Sequence, residues 1–306
     1  MHTASNDSTS NVCPACSSPK CRTAFDMKTY KVIACVNCGL HFVDVPYDET
    51  SIIDSDYYWA EDTYNDEVAE IRRWCNAELD KIEKLILPGK MLDVGCSFGY
   101  MLEVAHSRGW KVRGVEISKK VYEKYLGDKA KTLNVFNGRL EDAKYDSEFF
   151  DLVTMFDIIE HLADPASTVC EAGRVLRTGG YIVIETPRQE SLFKRTAHFL
   201  YRITGGRASS LIRGAYNPHP GGHRLGFTKR SLELLLNKYG MEPVKYEKRM
   251  MPLNMFYRTA LRNKGSFFKR YGFICASLAL WWLSVILRMQ NRIVVYAKKT
   301  EHIVGR

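Results

Sequence analysis

The sequence contains little that would direct the protein out of the cytoplasm. Its first ten residues, MHTASNDSTS, include no apolar run of the kind that forms a secretory signal. One uncharged apolar run, residues 271–287, reaches only the short limit for a helix that crosses a bilayer. We therefore expect a cytoplasmic protein whose nine cysteines serve as metal ligands and core thiols rather than as disulfides.

A second absence concerns nucleotide binding. The stretch MLDVGCSFGYML, residues 91–102, contains Gly95 and Gly99 but lacks the second glycine of the G-x-G-x-x-G fingerprint. That glycine lets the backbone approach a pyrophosphate, so its absence argues against a nicotinamide cofactor. Asp93 precedes the turn, and Glu116 ends the next predicted strand, where a carboxylate can accept both hydroxyls of a ribose. A cationic cofactor with a ribose and no phosphate fits this pattern, and S-adenosylmethionine is such a molecule.

The positive charge of the chain is concentrated in one segment. The formal net charge is +9, and residues 191–270 carry 17 Lys and Arg against three Glu. The remainder of the chain is therefore net acidic. We expect any anionic partner to meet the protein through this basic segment.

Near the amino terminus, two C-x-x-C knuckles are separated by 18 residues. Four thiolates at this spacing can surround one tetrahedral zinc ion and leave no position open for a substrate, so we predict a structural zinc ribbon. So small a ribbon has little core, and the metal would supply its folding energy. Cys21 and His41 remain alternative ligands. The predicted ligands are Cys13, Cys16, Cys35 and Cys38.

The pattern along the chain predicts five segments. Residues 1–11 form a disordered tail, 12–45 the zinc ribbon, and 46–75 an acidic aromatic connector. Residues 76–190 alternate strand and helix patterns, which indicates a parallel sheet covered on both faces. Residues 191–300 contain a substrate-side insertion with basic and apolar helices and a closing β-hairpin. The predicted fold is therefore α/β, a Rossmann-like sheet with an N-terminal ribbon and a C-terminal helical insertion.

Four stretches of the chain match one family in their order and spacing. They are LDVGCSFGYMLEVAHSRGWKVRGVEIS, FDLVTMFDIIEHLADP, LRTGGYIVIETP and HRLGFTKRSLELLLNKYGMEPV. Together they resemble the class I S-adenosylmethionine-dependent methyltransferases, particularly those similar to the ubiquinone-biosynthesis O-methyltransferases. The stretch CPAC…CVNCGLHFVDVP is similar to the ribbon of a bacterial subgroup linked to the modification of surface polysaccharides and lipid precursors.

The resemblance implies a cofactor site at the ends of the first four core strands. Its predicted contacts are Asp93, Gly95, Cys96 and Gly99 for the methionine part, Glu116 for the ribose, Ile117, Leu140 and Glu141 for the adenine, and Phe156 and Asp157 for the sulfonium end.

A hydroxyl acceptor must lose its proton during methyl transfer, and a group with a pKa near 7 serves best as its base. His161 follows the fourth core strand and is the candidate base, although it could instead hold its loop by hydrogen bonding. His223 lies in a second loop, NPHPGGHRLGF, which by resemblance reaches over the acceptor side. The fourth strand lacks the Asn/Asp-Pro-Pro-aromatic turn of methyltransferases that act on base amines. This absence argues against a nucleobase substrate.

Two stretches of the C-terminal third predict exposed apolar helices. SLFKRTAHFLYRI places Leu192, Thr196, Phe199 and Ile203 on one face and is flanked by basic residues, including Lys194. The apolar run 271–287 can lie at a membrane interface, pack in a dimer interface or against the core, or span a bilayer. Interfacial contact keeps the closing hairpin on one side of the membrane, so anionic lipid is the expected partner of residues 191–288.

The leading hypothesis is an S-adenosylmethionine-dependent methyltransferase. It would transfer to oxygen, or to carbon, of a sugar or lipid-linked polysaccharide precursor at the inner membrane surface. The alternatives are an RNA methyltransferase, which would use the ribbon and the basic segment for phosphates, and a non-catalytic relic that still binds the cofactor. A homodimer is compatible with either enzyme.

Overall fold

The structure, a computed structural model, describes residues 12–45, 68–218, 222–251 and 267–300. The predicted tail and most of the predicted connector lie outside these residues. The strands are β1 (Cys21–Asp26), β2 (Lys31–Cys35), β3 (His41–Asp44), β4 (Lys90–Val94), β5 (Lys111–Glu116), β6 (Val135–Asn137), β7 (Phe150–Phe156), β8 (Leu176–Pro187), β9 (Leu225–Gly226), β10 (Met241–Arg249) and β11 (Arg292–Lys299). The helical segments are α1 (Val68–Ile82), α2 (Tyr100–Ser107), α3 (Val121–Leu126), α4 (Lys129–Thr132), α5 (Pro165–Val175), α6 (Leu192–Ile203), α7 (Ser209–Ala215), α8 (Lys229–Lys238) and α9 (Phe267–Ile286).

The central sheet has seven strands in the order β10-β11-β8-β7-β4-β5-β6. The five strands from β8 to β6 run parallel, while β10 and β11 pair antiparallel at one edge. Leu92, Val153 and Ile182 on the inner strands are fully buried, as expected for a parallel sheet with helices on both faces. The predicted Rossmann-like α/β fold and its closing hairpin are confirmed.

The carboxyl ends of β4, β5, β7 and β8 meet at one edge of the sheet. The chain leaves β4 through a turn in which Gly95 has a φ of +73°, and a side-chain carbon there would lie 2.1 Å from Cδ1 of Ile158. Gly99, with a φ of +79°, then begins α2. Only glycine satisfies both demands at Gly95, so the tight turn brings this strand end close to the loop after β7.

Two helix boundaries differ from the sequence expectation. The stretch DPASTVCEAGRVLRTGG, residues 164–180, predicts a helix that ends at its glycine pair, but α5 ends at Val175 and β8 begins at Leu176. The start of α5 is well defined, because the carboxylate of Asp164 accepts two backbone N–H groups of the first turn. Helix α1 begins at Val68 and therefore crosses the boundary placed between connector and core.

The N-terminal residues 12–45, which we call the cysteine module, form an antiparallel sheet of β1, β2 and β3. This sheet is completed by β9 from the C-terminal third, with His41 opposite Gly226 and Phe42 opposite Leu225. The module is therefore built into the protein by main-chain pairing rather than only resting against it.

Helix α9 precedes β11 and makes contacts with α6. In the described part of the chain, no helix combines the length and the apolar content needed to cross a membrane.

Candidate active site

A cavity of about 890 Å³ lies at the edge where the parallel strands end. One side of it is formed by the turns after β4 and β5, and another by the inner face of α1. The far end is formed by the loop after β7 together with residues of β8, β10 and β11. The cavity thus has a cofactor half, built from residues 93–141 with α1, and an acceptor half, built from distant parts of the chain.

Glu116 is the best-organised group of the cofactor half. Its side chain is buried, and each carboxylate oxygen accepts a backbone N–H, from Ser97 at 2.9 Å and from Ser118 at 2.8 Å. Burial raises the pKa of Glu116, and these two hydrogen bonds oppose the rise. The carboxylate is thereby held in a fixed orientation at the cavity wall, where its remaining lone pairs suit the two hydroxyls of a ribose.

Asp93 lies at the cavity wall near the end of β4 and is fully enclosed. Its carboxylate accepts the hydroxyl of Thr154 at 2.6 Å. Burial raises the pKa of Asp93 to about 7, with Thr154 opposing the rise and the negative charge of Glu116 adding to it. A buried carboxylate without a cationic partner gains stability when a positively charged group binds beside it.

Ser97 provides a test of whether a polar cofactor fits. Its hydroxyl oxygen is buried at the cavity without a hydrogen-bond partner among the described residues. A buried hydroxyl of this kind usually has a partner, and a polar ligand would supply it. The carboxylates and the orphan hydroxyl together match the ammonium, ribose and carboxylate of S-adenosylmethionine.

Most of the predicted cofactor contacts line the cavity. One exception is Gly99, which shapes the turn and is not among the described lining residues. Trp74 of α1, which the sequence analysis did not single out, packs edge-to-face on Phe156 with ring centroids 4.9 Å apart. The lining contacts are Asp93, Gly95, Cys96, Glu116, Ile117, Leu140, Glu141, Phe156 and Asp157.

His161 lines the acceptor half of the cavity. Its Nδ1 lies 3.0 Å from the carbonyl oxygen of Gly222. A carbonyl can only accept, so Nδ1 carries the proton and Nε2 is the unprotonated nitrogen of the neutral ring. Burial lowers the pKa of His161, which keeps the ring neutral at pH 7. Nε2 is 3.9 Å from Oε1 of Glu160, an oxygen that is buried without a hydrogen-bond partner among the described residues.

His223 does not take the position expected from the sequence. It is not among the described residues that line the cavity, and its ring packs against His161 with centroids 4.9 Å apart. Burial lowers the pKa of His223 to about 3, and the neighbouring His161 contributes to the shift. Ligand atoms of Glu160, His161 and His223 all lie within 4.8 Å of one another. His223 therefore contacts His161, and a direct contact with the acceptor is not supported.

An ion-pair network that no sequence motif predicts lines the same half. Arg292 pairs with both Asp157 and Glu185, and Arg249 reaches Glu185 at 3.0 Å and Glu78 at 2.8 Å. The carboxylate of Asp157 thus forms an ion pair with Arg292 in β11. Only the folded hairpin brings these residues together, and no local motif marks them.

The four knuckle cysteines converge at one end of the cysteine module. The sulfur atoms of Cys13 and Cys38 are 3.5 Å apart, and those of Cys16 and Cys35 are 3.6 Å apart. Four thiolates bound to zinc at about 2.3 Å would have edges of roughly 3.8 Å, so the cluster fits a tetrahedral metal. Cys21 donates to the carbonyl of Ser18 and lies outside this four-thiol group.

His41, the other alternative ligand, also lies outside the four-thiol group. Its Nδ1 is 3.1 Å from the carbonyl oxygen of Gly39, and its ring stacks near those of His198 and Tyr216. The structure thus supports the four-cysteine set rather than either alternative.

Comparison with known proteins assigns the family. Residues 64–246 match the methyltransferase-domain family, and the chain belongs to it. The predicted class I S-adenosylmethionine-dependent methyltransferase family is thereby confirmed. The matched region contains the whole cofactor half of the cavity, together with His161 and His223.

Among curated proteins, the chain is similar to ubiquinone biosynthesis O-methyltransferases. It is 34% identical to that of Thiobacillus denitrificans over 102 residues, which are 32% of this chain and 44% of the relative. It is 33% identical to that of Aromatoleum aromaticum over 106 residues, 33% of this chain and 45% of the relative. The matched region thus spans less than half the length of these relatives.

Among solved structures, one assigned as a sarcosine dimethylglycine methyltransferase from Galdieria sulphuraria is similar in fold. The two share 16% sequence identity with a TM-score of 0.50, and the match covers 83% of this chain and 92% of the other. At this identity the likeness supports the fold alone.

Proposed function

We propose that the protein transfers a methyl group from S-adenosylmethionine to a hydroxyl of a sugar or lipid-linked acceptor. When bound, the cofactor supplies an electrophilic methyl group on a sulfonium and departs as the thioether with the C–S electron pair. The acceptor oxygen forms the new C–O bond, and its proton passes to Nε2 of His161. The observation that carries this proposal is the neutral His161 ring at the cavity wall, whose proton is held on Nδ1 by the Gly222 carbonyl.

Other residues of the chain support the same step. Burial raises the pKa of Glu160 to about 8, so its carboxyl is charged above that pH and then stabilises the imidazolium that forms 3.9 Å away at Nε2. Trp74 and Phe156 pack edge-to-face at the cavity wall and give it an apolar surface, which favours a poorly hydrated site for the transfer. Holding the acceptor at attack distance in this enclosed site supplies much of the rate enhancement.

A lipid-linked acceptor is supported by exposed apolar side chains on two neighbouring helices. On α6, Phe199 and Ile203 are each 61% exposed, and on α9 Trp282 and Ile286 are 57% and 72% exposed. Both helices are in contact with each other. Exposed apolar side chains flanked by the arginines of a basic segment are typical of a surface that binds anionic lipid.

Helix α9 is hydrogen-bonded to a residue of the cavity wall. The indole N–H of Trp281 donates to the carbonyl of Met251 at 3.0 Å, and Met251 lines the acceptor half. An acceptor whose apolar chain lies along α9 could therefore present its polar head beside His161. We infer that the protein works at the surface of an anionic membrane.

Transfer of label from S-[methyl-³H]adenosylmethionine tests the reaction. The probe is an extract of cells that lack the gene, separated afterwards into organic-soluble, small water-soluble and RNA fractions. Label in the organic-soluble or sugar fraction, released as an O-methyl group on analysis of the product, supports the proposal. Label confined to RNA, to a carbon atom, or to no fraction would overturn it.

Membrane docking is tested with vesicles of phosphatidylglycerol and phosphatidylcholine. Wild-type protein should sediment with the anionic vesicles at low salt and less so at high salt. Trp282→Glu with Ile286→Glu should abolish sedimentation, whereas Leu87→Glu, at an exposed site near the start of β4, should not. If wild type ignores the vesicles and runs as a dimer that the double change dissociates, the surface is a protein interface.

We also propose that the four-thiol group holds a structural zinc ion. With four protein ligands, no coordination position remains for an acceptor. The proposal is supported by the sulfur spacing and by the side-chain amide of Asn37, which donates to the sulfur of Cys16 at 3.5 Å. Hydrogen bonds of this kind orient metal ligands and stabilise bound thiolates.

A further inference from the structure

The cysteine module is joined at three points to residues 222–228, which we call the bridging segment. The first is the main-chain pairing of β3 with β9, in which Phe42 lies opposite Leu225 and the N–H of Val43 donates to the carbonyl of Arg224 at 3.0 Å. The second is the hydroxyl of Thr228, which donates to the carbonyl of Cys38 at 2.7 Å. The third is Arg224, which donates to the carbonyl of Val45 at 2.5 Å. The second contact is therefore made to Cys38, which is one of the four clustered cysteines.

The bridging segment in turn holds the loop that carries His161. The backbone N–H groups of Arg224 and Leu225 donate to the carbonyl of Glu160 at 2.9 and 3.0 Å. Two residues earlier in the segment, the Gly222 carbonyl accepts the proton of His161 Nδ1. A side-chain carbon at Gly222 would lie only 2.5 Å from the carbonyl oxygen of Asn217, so the backbone of Gly222 packs closely against Asn217.

The other side of the bridging segment rests on a buried polar cluster. A side-chain carbon at Gly226 would lie 2.3 Å from Oε1 of Gln189 and 3.1 Å from Nζ of Lys194. Gln189 also accepts the hydroxyl of Tyr216 at 2.6 Å, and the carbonyl of Tyr216 accepts the hydroxyl of Tyr30 in the module. The segment is therefore clamped between the cysteine module and the core.

We propose that the cysteine module is a positioning element for the acceptor half. By fixing residues 222–226, it keeps the Gly222 carbonyl on Nδ1 of His161 and so keeps Nε2 as the basic nitrogen. Arg224 acts in this arrangement as a positioning residue and touches neither cofactor nor acceptor. The link to turnover rests on the proposed function, in which His161 is the base. The effect on the His161 tautomer does not depend on it.

The test compares two arginines that cross the same interface. Arg224→Met removes the donor to Val45 and a second donor to the Pro218 carbonyl at 3.3 Å. Arg230→Met removes an exposed contact to Asn37 at 3.4 Å that does not involve the bridging segment. The full-length, metal-loaded protein is used for both. Long-range ¹H–¹⁵N spectra of histidine side chains report which His161 nitrogen carries the proton. Calorimetry with S-adenosylhomocysteine reports the cofactor half.

We expect wild type and Arg230→Met to show the Nδ1–H tautomer. Arg224→Met should show a mixture of tautomers, with kcat lower by about tenfold or more, because a positioned base contributes 10²–10⁴-fold. Its affinity for S-adenosylhomocysteine should stay within about twofold of wild type. Arg224→Lys, whose ammonium can still donate to Val45, should restore the wild-type tautomer. Retention of the pure Nδ1–H tautomer in folded Arg224→Met would overturn the proposal.

A second pair of variants covers failure of Arg224→Met to fold. Thr228→Val removes the donor to Cys38, and Thr228→Ser retains it together with the cap of α8. A mixed tautomer in Thr228→Val that Thr228→Ser corrects supports the positioning role. Equal spectra for the pair would contradict it. If the tautomer shifts as expected but His161→Ala keeps full turnover, the positioning role stands and the base assignment fails.

Discussion

The two halves of the cavity are built in different ways. The cofactor half is built from one continuous stretch, residues 93–141, and is covered on one side by α1. Within this stretch, each strand end is followed by a short turn. The acceptor half combines the loop after β7 with residues of β8, β10 and β11, and the bridging segment and the cysteine module support it. We therefore expect substitutions in the composite half to alter acceptor binding without disturbing the cofactor half.

The largest expected effect that separates the two halves comes from disabling the proposed zinc site of the cysteine module. Cys35→Ser should lower zinc from about one ion per chain to near zero and unfold the module, because a structural zinc site contributes about 10–16 kcal/mol to folding in small domains. Binding of S-adenosylhomocysteine should persist, since the cofactor half lies in the core.

Elemental analysis and calorimetry measure the two effects on the same sample. Cys21→Ser is the matched control, because its thiol lies outside the four-thiol group. A metal-free wild-type protein with a folded module would refute the zinc site. Loss of cofactor binding together with the metal would show that the halves are not separable.

A large effect confined to the cofactor half is expected at Glu116. Glu116→Ala should weaken S-adenosylmethionine binding by at least about 100-fold, because two charge-assisted hydrogen bonds are worth roughly 1.5–3 kcal/mol each. Glu233→Ala, at an exposed site on α8, serves as the control. Equal affinities of Glu116→Ala and wild type in calorimetry would contradict the prediction that Glu116 binds the ribose.

The pH dependence of cofactor binding should come from Asp93. Its carboxyl is charged above its pKa of about 7, and a cationic ligand prefers the charged form, so affinity is lost as the pH falls through that value. Binding should be roughly tenfold weaker at pH 6 than at pH 8. Asp93→Asn should bind more weakly and with little pH dependence. Cofactor affinity is measured at three pH values for wild type and Asp93→Asn. An equal change of affinity with pH in the two proteins would contradict this role.

The parts of the molecule that the sequence predicts are those built from neighbouring residues. The alternation of strands and helices, the glycine turn and Glu116 are local signals, and the structure places them as expected. Two C-x-x-C knuckles are equally local, and their four thiols converge. In each case a few neighbouring residues determine both the conformation and the chemistry.

Lys194 shows where local reasoning fails. Phe199 and Ile203 on the apolar face of α6 are exposed as expected, but the structure buries Lys194, which the helix pattern placed beside that face. Helical periodicity identifies two faces and cannot say which of them the core covers. The burial lowers the pKa of Lys194 to about 8, and the charge of Glu160 opposes the shift. The predicted contact of His223 with the acceptor stays a prediction, and its ring packs against His161.

The ion pairs of Arg292 and Arg249 had no sequence signal at all. Both arginines come from the closing hairpin, and their partners include Glu185 in β8 and Glu78 in α1. Contacts of this range depend on the register of the sheet edge, which a single sequence does not specify.

The central claim is that His161 removes the proton of the acceptor while the cofactor half works independently of it. The most direct measurement is the initial rate of tritium transfer from S-[methyl-³H]adenosylmethionine into extract by wild type and by His161→Ala, at saturating cofactor. We predict a fall of roughly 10²–10⁴-fold in His161→Ala, with affinity for S-adenosylhomocysteine unchanged. Equal rates for the two proteins would contradict the claim and leave His161 with a purely structural role.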